Sequence, residues 1–184
     1  VHYPGSGVGG PCLPINSYQF LNTAKRTNSK LNIIELARKI NEYMPQHVIE
    51  LTTDAFSESN LSIEDSKILI LGVSYKPNVK DIQLSPAEHI IKKLQKLGAN
   101  IHIYDPFYLS ETIFGINTES NLDKILPEMN AAIIVTGHSD FKEIEISSFS
   151  KMKHHILIDT RGIIEPSNAK QQGIIFRGLG RGDF

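Results

Sequence analysis

Cysteine is nearly absent from this sequence: Cys12 is the single one in 184 residues. A lone cysteine excludes an internal disulfide, and with it a small secreted scaffold held by bridges. Long hydrophobic runs are missing as well. No stretch reaches the roughly 18 apolar residues that a membrane span needs, so a soluble protein of a reducing compartment is expected, the cytoplasm by default. Charge of either sign is not in excess, with Lys plus Arg at 19 against Asp plus Glu at 20. The chain therefore has no global field to draw nucleic acid or an anionic membrane, and an anionic ligand would have to be held locally. With 7 histidines and 1 cysteine scattered along the chain, no metal site is expected. The opening residues Val1-His2-Tyr3-Pro4-Gly5 have neither the basic start nor the apolar stretch of a signal peptide, and no initiator Met, so a chain cut at its front is expected.

The length suits one full domain plus a smaller piece. Residues 1–16 are rich in Gly and Pro and read as a loop, followed by a short helical stretch from Tyr18 to Ala24. From Asn28 the period becomes helical, with Ile33, Leu36, Ala37, Ile40 and Met44 on one stripe and Val48, Leu51 and Ala55 continuing it beyond Pro45, which should kink or restart the helix. Such a helix packs against a second copy of the chain or against a domain outside it. The polar run Ser57–Ser66 reads as a linker, dividing residues 1–64 from residues 65–184. Beyond it the apolar runs Lys67–Val73, Asn100–Tyr104, Ala131–Thr136 and His155–Asp159 are short and β-branched, as in strands buried on both faces. A helix opens at Ser85-Pro86-Ala87-Glu88, where Ser85 fits the N-cap and Glu88 a capping box, and Gly98 ends it. Alternating strands and helices argue for an α/β fold, a doubly wound, Rossmann-like parallel sheet from about residue 65 onward.

The run Gly5-Ser6-Gly7-Val8-Gly9-Gly10 contains G-x-G-x-x-G, yet no strand precedes it and Pro11-Cys12-Leu13-Pro14 follows at once, which argues against a dinucleotide pyrophosphate loop. A loop that brings its backbone close to a ligand and presents Cys12 is the better reading. A thiolate is intrinsically nucleophilic and can attack an aldehyde. The alternative is a small buried apolar residue, which is what many single cysteines are.

Tyr3-Pro4-Gly5-Ser6-Gly7-Val8-Gly9-Gly10-Pro11-Cys12-Leu13-Pro14 resembles the active-site signature of the UDP-glucose/GDP-mannose dehydrogenase family. Gly72-Val73-Ser74-Tyr75-Lys76-Pro77-Asn78 with Asp81, Ser85 and Pro86 is similar to that family's nucleotide-sugar motif, and Ile158-Asp159-Thr160-Arg161-Gly162 to a segment near its carboxyl terminus. The resemblance implies a carboxyl-terminal piece: the helical end of a central domain, then a nucleotide-sugar-binding α/β domain. It implies NAD as cofactor, a UDP-sugar as substrate, a homodimer built on the long helix, and two oxidations at the sugar C6 through a Cys12 thiohemiacetal and thioester. Tyr3, Pro4, Gly5 and Gly9 would hug the sugar and diphosphate, with Gly9 where any Cβ would strike substrate.

By the same resemblance, Tyr75 and Lys76 lie just past the first strand of the sheet, at the edge where open α/β folds bind ligands, and Arg161 lies just past another. Lys76 can meet a phosphate as a point charge, and Arg161 can meet phosphate or sugar oxygens as a fork. A solvent-exposed Lys76 and an Arg161 paired with Asp159 or Asp81 are the alternatives. Asp105, after the second strand, could accept from a ribose hydroxyl in a Rossmann-like sheet, but as Asp-Pro it also reads as a turn opener and is left out of the site, and His138 and Asp140 read as loop residues. Two positions depart from the family pattern. Asn16 stands for a carboxylate beside the thiol, and can orient water or polarise a thioester but cannot act as a base. Gln83 stands for an arginine near the cofactor. The family's amino-terminal dinucleotide domain has no counterpart here, so the chain alone is expected to bind a UDP-sugar without reducing NAD. The motif spelling is nearest to enzymes oxidising UDP-N-acetylmannosamine, with UDP-glucose 6-dehydrogenase as the alternative, and a non-catalytic UDP-sugar-binding module as the alternative of another class.

Overall fold

The computed structural model describes residues 3–181; Val1, His2 and residues 182–184 lie outside it. The first helix, α1, runs Cys12–Arg26, so the glycine-rich loop ends at Pro11 and not near residue 16 as the composition suggested. Pro14 is compatible with this because the first backbone N–H groups of a helix have no intrahelical partner to lose. The second helix, α2, runs Asn32–Glu58 without a break at Pro45, against the expectation of a kink or restart. Pro45 is buried, and its ring packs beside the Gly7 backbone, so tertiary contact holds the helix through the missing hydrogen bond. The helix also consumes the first two residues of the expected linker.

Both helices end the same way. Asn28 and Asn60 take left-handed conformations, and the next residue donates back into the last turn, Ser29 N to the Ala24 carbonyl at 2.8 Å and Leu61 N to the Phe56 carbonyl at 3.0 Å. These are Schellman closures with asparagine in the usual glycine place.

Five parallel strands follow: β1 Lys67–Leu71, β2 Asn100–Tyr104, β5 Ala131–Ile134, β6 Ile156–Asp159 and β7 Ile175–Gly178, in the spatial order β2-β1-β5-β6-β7. Between β2 and β5 lies a small antiparallel hairpin, β3 Thr112–Ile113 with β4 Ile116–Asn117. Its turn residues Phe114 and Gly115 both have positive φ, as a type I′ turn requires. The four expected strands are present. The hairpin and β7 were not anticipated, since β7 is a half-buried edge strand that carries Arg177.

Helices cover both faces of the sheet, as a doubly wound fold requires. On one face α3, Pro86–Lys96, sets Ile90, Ile91 and Leu94 against Ile68, Ile70 and Ile133, together with Val48, Ala55 and Phe56 of α2. On the other face are α4 Leu122–Ile125, α5 Ser139–Lys142, α6 Ile146–Phe149 and α7 Pro166–Gln171. There Phe141, Phe149 and Ala169 pack on Leu69, Leu71 and Leu157. The start of α3 follows the sequence signal in part. Ser85 Oγ accepts from Ala87 N at 3.3 Å, but Glu88 turns to Lys92, 2.6 Å away, so the capping box does not close. A lysine one turn along is the stronger partner for an exposed carboxylate.

The two halves of α2 differ. Its carboxyl half is core, whereas Ile33, Leu36, Ile40 and Tyr43 are exposed at 85%, 59%, 54% and 49%. Among the described residues no helix is long and apolar enough to cross a membrane. Because Phe56 is fully buried between α2 and the sheet, Phe56→Ala is expected to cost about 3–5 kcal/mol in urea unfolding; a loss under about 1 kcal/mol would mean that α2 is not part of the sheet's core.

Candidate functional site

The loop before Cys12 is fastened to three parts of the molecule. Val8 and Asn41 of α2 exchange two bonds, Val8 N to Asn41 Oδ1 at 2.7 Å and Asn41 Nδ2 to the Val8 carbonyl at 3.2 Å. Gly10 N donates to the Gln83 carbonyl at 2.9 Å. Gly5 lies on the Arg161 guanidinium, so closely that a Cβ there would overlap Nη1.

Gly9 and Gly10 meet the segment between β1 and α3 backbone to backbone. A Cβ on Gly9 would overlap the Leu84 carbonyl oxygen, and one on Gly10 would lie 2.6 Å from the Tyr75 ring. The demand for glycine at position 9 is thus met inside the protein, which corrects the expectation that a substrate sets it. Leu84 answers with a left-handed backbone, φ +49, costly for a residue with a branched side chain and held by the Ser85 N to Ile82 carbonyl bond of 3.1 Å. This seating also disposes of the loop as a dinucleotide cradle. Its Val8 and Gly10 N–H groups are taken by Asn41 and the Gln83 carbonyl.

Cys12 is exposed as the first residue of α1. Asn16, also exposed, is one turn along and so shares its face. Tyr75 stands at the carboxyl end of β1 with Lys76 Nζ 5.6 Å over its ring, and Lys76 is exposed. Tyr75 therefore touches both Gly10, two residues before the thiol, and Lys76. Tyr3, Pro4 and Gln83 are exposed, and only the backbone of Gln83 takes part in the contacts above.

Arg161 follows β6. The Asp159 carboxylate accepts from Arg161 N at 2.8 Å, Gly162 N at 2.9 Å and Ile164 N at 2.8 Å, and Asp81 Oδ1 accepts from Gln83 N at 2.9 Å. Neither carboxylate makes an ion pair with the guanidinium, and among the described residues Arg161 has no salt-bridge partner. Burial pushes its pKa down, partly offset by the charge of Asp159. A half-buried guanidinium without a counter-ion is suited to receive an anion.

Three residues that the sequence reading left out of the site organise its base. Asp105 follows β2 and is fully buried. It opens a turn as expected, Phe107 N to Oδ1 at 2.9 Å, and also accepts from Val73 N at 2.8 Å and lies 3.1 Å from His138 Nε2. Burial pushes its carboxyl pKa up, but the bonds from His138, Val73 and Phe107 outweigh this and hold it below the ordinary value. His138 Nδ1 in turn accepts from Asn78 N at 3.0 Å. A buried acid at the carboxyl end of a strand was the available signal; its histidine partner, 33 residues away, had none. The gap of about 600 Å³ between α1, α2 and α3, lined by Tyr18, Arg38, Leu84 and Pro86, contains none of Cys12, Lys76 and Arg161. These three candidate residues lie elsewhere, along the loop and the carboxyl edge of the sheet.

Residues 69–166 match the model of the UDP-glucose/GDP-mannose dehydrogenase family, UDP binding domain, and residues 1–43 that of the same family's central domain. The chain belongs to the UDP-glucose/GDP-mannose dehydrogenase family. Among curated relatives it is 35% identical over 184 residues to the UDP-N-acetyl-D-mannosamine dehydrogenase of Pyrococcus horikoshii, covering 100% of this chain and 41% of that protein. It is 29% identical over 182 residues to the UDP-glucose 6-dehydrogenase TuaD of Bacillus subtilis, covering 96% and 39%. The structure of the Pyrococcus UDP-D-ManNAc dehydrogenase superposes with a TM-score of 0.87 at 34% identity, covering 100% of this chain and 41% of that one. An NDP-N-acetyl-D-galactosaminuronic acid dehydrogenase from Methanosarcina mazei superposes with a TM-score of 0.88 at 28% identity, covering 98% and 40%. The chain thus spans 41% of the length of the Pyrococcus relative.

The backbone seat of Gly9 yields a test of the site's construction. Gly9→Ala is expected to lower stability by about 1–3 kcal/mol in denaturant unfolding, because the obstacle is a main-chain carbonyl that cannot swing away. Unchanged stability would mean that the two loops do not meet as described.

Proposed function

We propose that this chain is the carboxyl-terminal part of an NAD-dependent nucleotide-sugar 6-dehydrogenase that converts the C6 alcohol of a UDP-N-acetylhexosamine, UDP-N-acetylmannosamine first among them, into a carboxylate. The observation that carries the reading is the tie between an exposed thiol at the head of α1 and two cations at the sheet edge. Cys12 follows a loop that lies on Arg161 at Gly5 and on Tyr75, the neighbour of Lys76, at Gly10. The relatives' substrates and the spelling of the three motifs support the choice of sugar. In this reading residues 1–64 finish a central domain and residues 65–184 bind the nucleotide sugar in the cytoplasm, for polysaccharide biosynthesis.

Lys76 and Arg161 neutralise the diphosphate, while Tyr3, Pro4 and Gly5 line the sugar side. The Cys12 thiolate attacks the C6 aldehyde, forming a C–S bond as the carbonyl oxygen takes up a proton. NAD, when bound, accepts a hydride in each of the two oxidations. Once the carbon on sulfur is at the acyl level, Asn16 orients water onto it; the C–S bond breaks, the carboxylate leaves and the thiol regains its proton. The glycine loop is filled by protein contacts, which supports placing the dinucleotide away from it. Gln83, which stands where the family resemblance implies an arginine, is the residue of this chain that we place nearest the cofactor.

In the intact enzyme, Cys12→Ala is expected to abolish acid formation with UDP-sugar affinity within a few-fold of wild type. Cys12→Ser is expected to accumulate an ester, visible as added mass after incubation with substrate and NAD, because an alkoxide leaves less readily than a thiolate. Full turnover by both variants would remove Cys12 from the chemistry.

The exposed stripe of α2, from Ile33 to Tyr43, supports a homodimer through that helix. Leu36→Glu with Ile40→Glu is expected to shift the enzyme from dimer to monomer in sedimentation; a dimer unaffected by both charges would put the interface elsewhere.

A further inference from the structure

The proton inventory of the buried Asp105–His138–Asn78 chain is fixed by one donor. The Asn78 main-chain N–H can only donate, so His138 Nδ1, 3.0 Å away, must present a lone pair. The ring hydrogen is therefore on Nε2 and points at Asp105 Oδ2, 3.1 Å away, which makes the ring neutral. Asp105 cannot swing to suit the ring, because Val73 N and Phe107 N hold its two oxygens at 2.8 and 2.9 Å. The ring itself is fully buried between Phe107 and Phe141, with centroids at 5.1 and 5.4 Å. An orientation set at the end of β2 is thus carried through the ring to the turn after β1.

At that turn Asn78 has a left-handed backbone, φ +59. Its side chain is clasped by Ser139, with Nδ2 to Oγ at 2.8 Å and Ser139 N to Oδ1 at 2.9 Å. Lys76, two residues earlier, is exposed, and among the described residues it forms no hydrogen bond or ion pair and lies over the Tyr75 ring, so the direction of its side chain is inherited from this turn. We propose that His138 is a positioning residue for sugar-nucleotide binding: as the neutral Nε2–H form held by Asp105, it fixes the Asn78 turn and thereby aims Lys76 at the phosphates. This rests on the reading of Lys76 as a phosphate contact.

The test is UDP-sugar affinity by calorimetry in the intact enzyme, for wild type, Lys76→Ala, His138→Phe and His138→Gln. Phenylalanine keeps the ring packing and removes both nitrogens; glutamine restores an acceptor for Asn78 N and a donor for Asp105. If the competent turn falls to about a tenth of the population in His138→Phe, affinity weakens about tenfold, while His138→Gln stays within about threefold of wild type. Simple loss of packing would not be rescued by glutamine in this way. His138→Phe binding as wild type does, or His138→Gln binding as weakly as His138→Phe, overturns the proposal. Lys76→Ala without effect overturns the phosphate reading and this proposal with it, whereas Lys76→Ala weakened beside an unaffected His138→Phe overturns this proposal alone. Should His138→Phe not fold, nitrogen NMR of the wild type decides: protonation at Nε2 with a bare Nδ1 is expected, and the opposite tautomer overturns the assignment.

Discussion

Two backbones touch where Gly9 and Gly10 meet Leu84 and Tyr75, and the remainder of the site hangs on that contact. Side chains at both positions are excluded by the neighbouring main chain and ring, so the loop can approach the sheet closely enough for Gly10 N to bond the Gln83 carbonyl. Cys12 begins its helix two residues later, which makes the thiol's place relative to the sheet a consequence of main-chain contact. Main-chain contacts are stiffer than those between long side chains, and under the proposed function the thiol needs that stiffness to meet a reacting carbon at bonding distance. The left-handed Leu84 is the local cost of the arrangement.

Buried carboxylates at the ends of β2 and β6 do comparable jobs. Asp105 and Asp159 each gather backbone N–H groups of the loops at the sheet's carboxyl edge. In many α/β proteins such N–H groups face a ligand phosphate directly. Here those donors are occupied by carboxylates, and the cations at this edge, Lys76 and Arg161, are left for an anion. Charged side chains rather than main-chain donors then hold the diphosphate in the proposed function, which predicts a salt-sensitive affinity.

Helix α2 serves two environments. Its carboxyl half closes one face of the sheet, and its amino half, with Asn41 gripping the glycine loop, projects an apolar stripe into solvent. The relatives are more than twice as long as this chain, and the stripe fits a surface that is covered in a larger assembly.

Periodicity and composition in the sequence determined the four inner and first-edge strands, the start of α3 at Ser85 and its end at Gly98, because continuous β-branched runs and capping residues act within a few neighbouring positions. The resemblance of three motifs, whose spelling is local, pointed to Cys12, Lys76 and Arg161 as candidate site residues. Only the tertiary structure decided that α1 begins at Cys12, that α2 passes through Pro45, that Leu84 is what demands Gly9, and that Asp105 finds His138. Each of these is a contact between segments far apart in the chain, and no local pattern encodes which carbonyl, ring or carboxylate will arrive from elsewhere. The edge strand β7 escaped for the related reason that its neighbour β6, not its own half-polar sequence, supplies the hydrogen bonds that make it a strand.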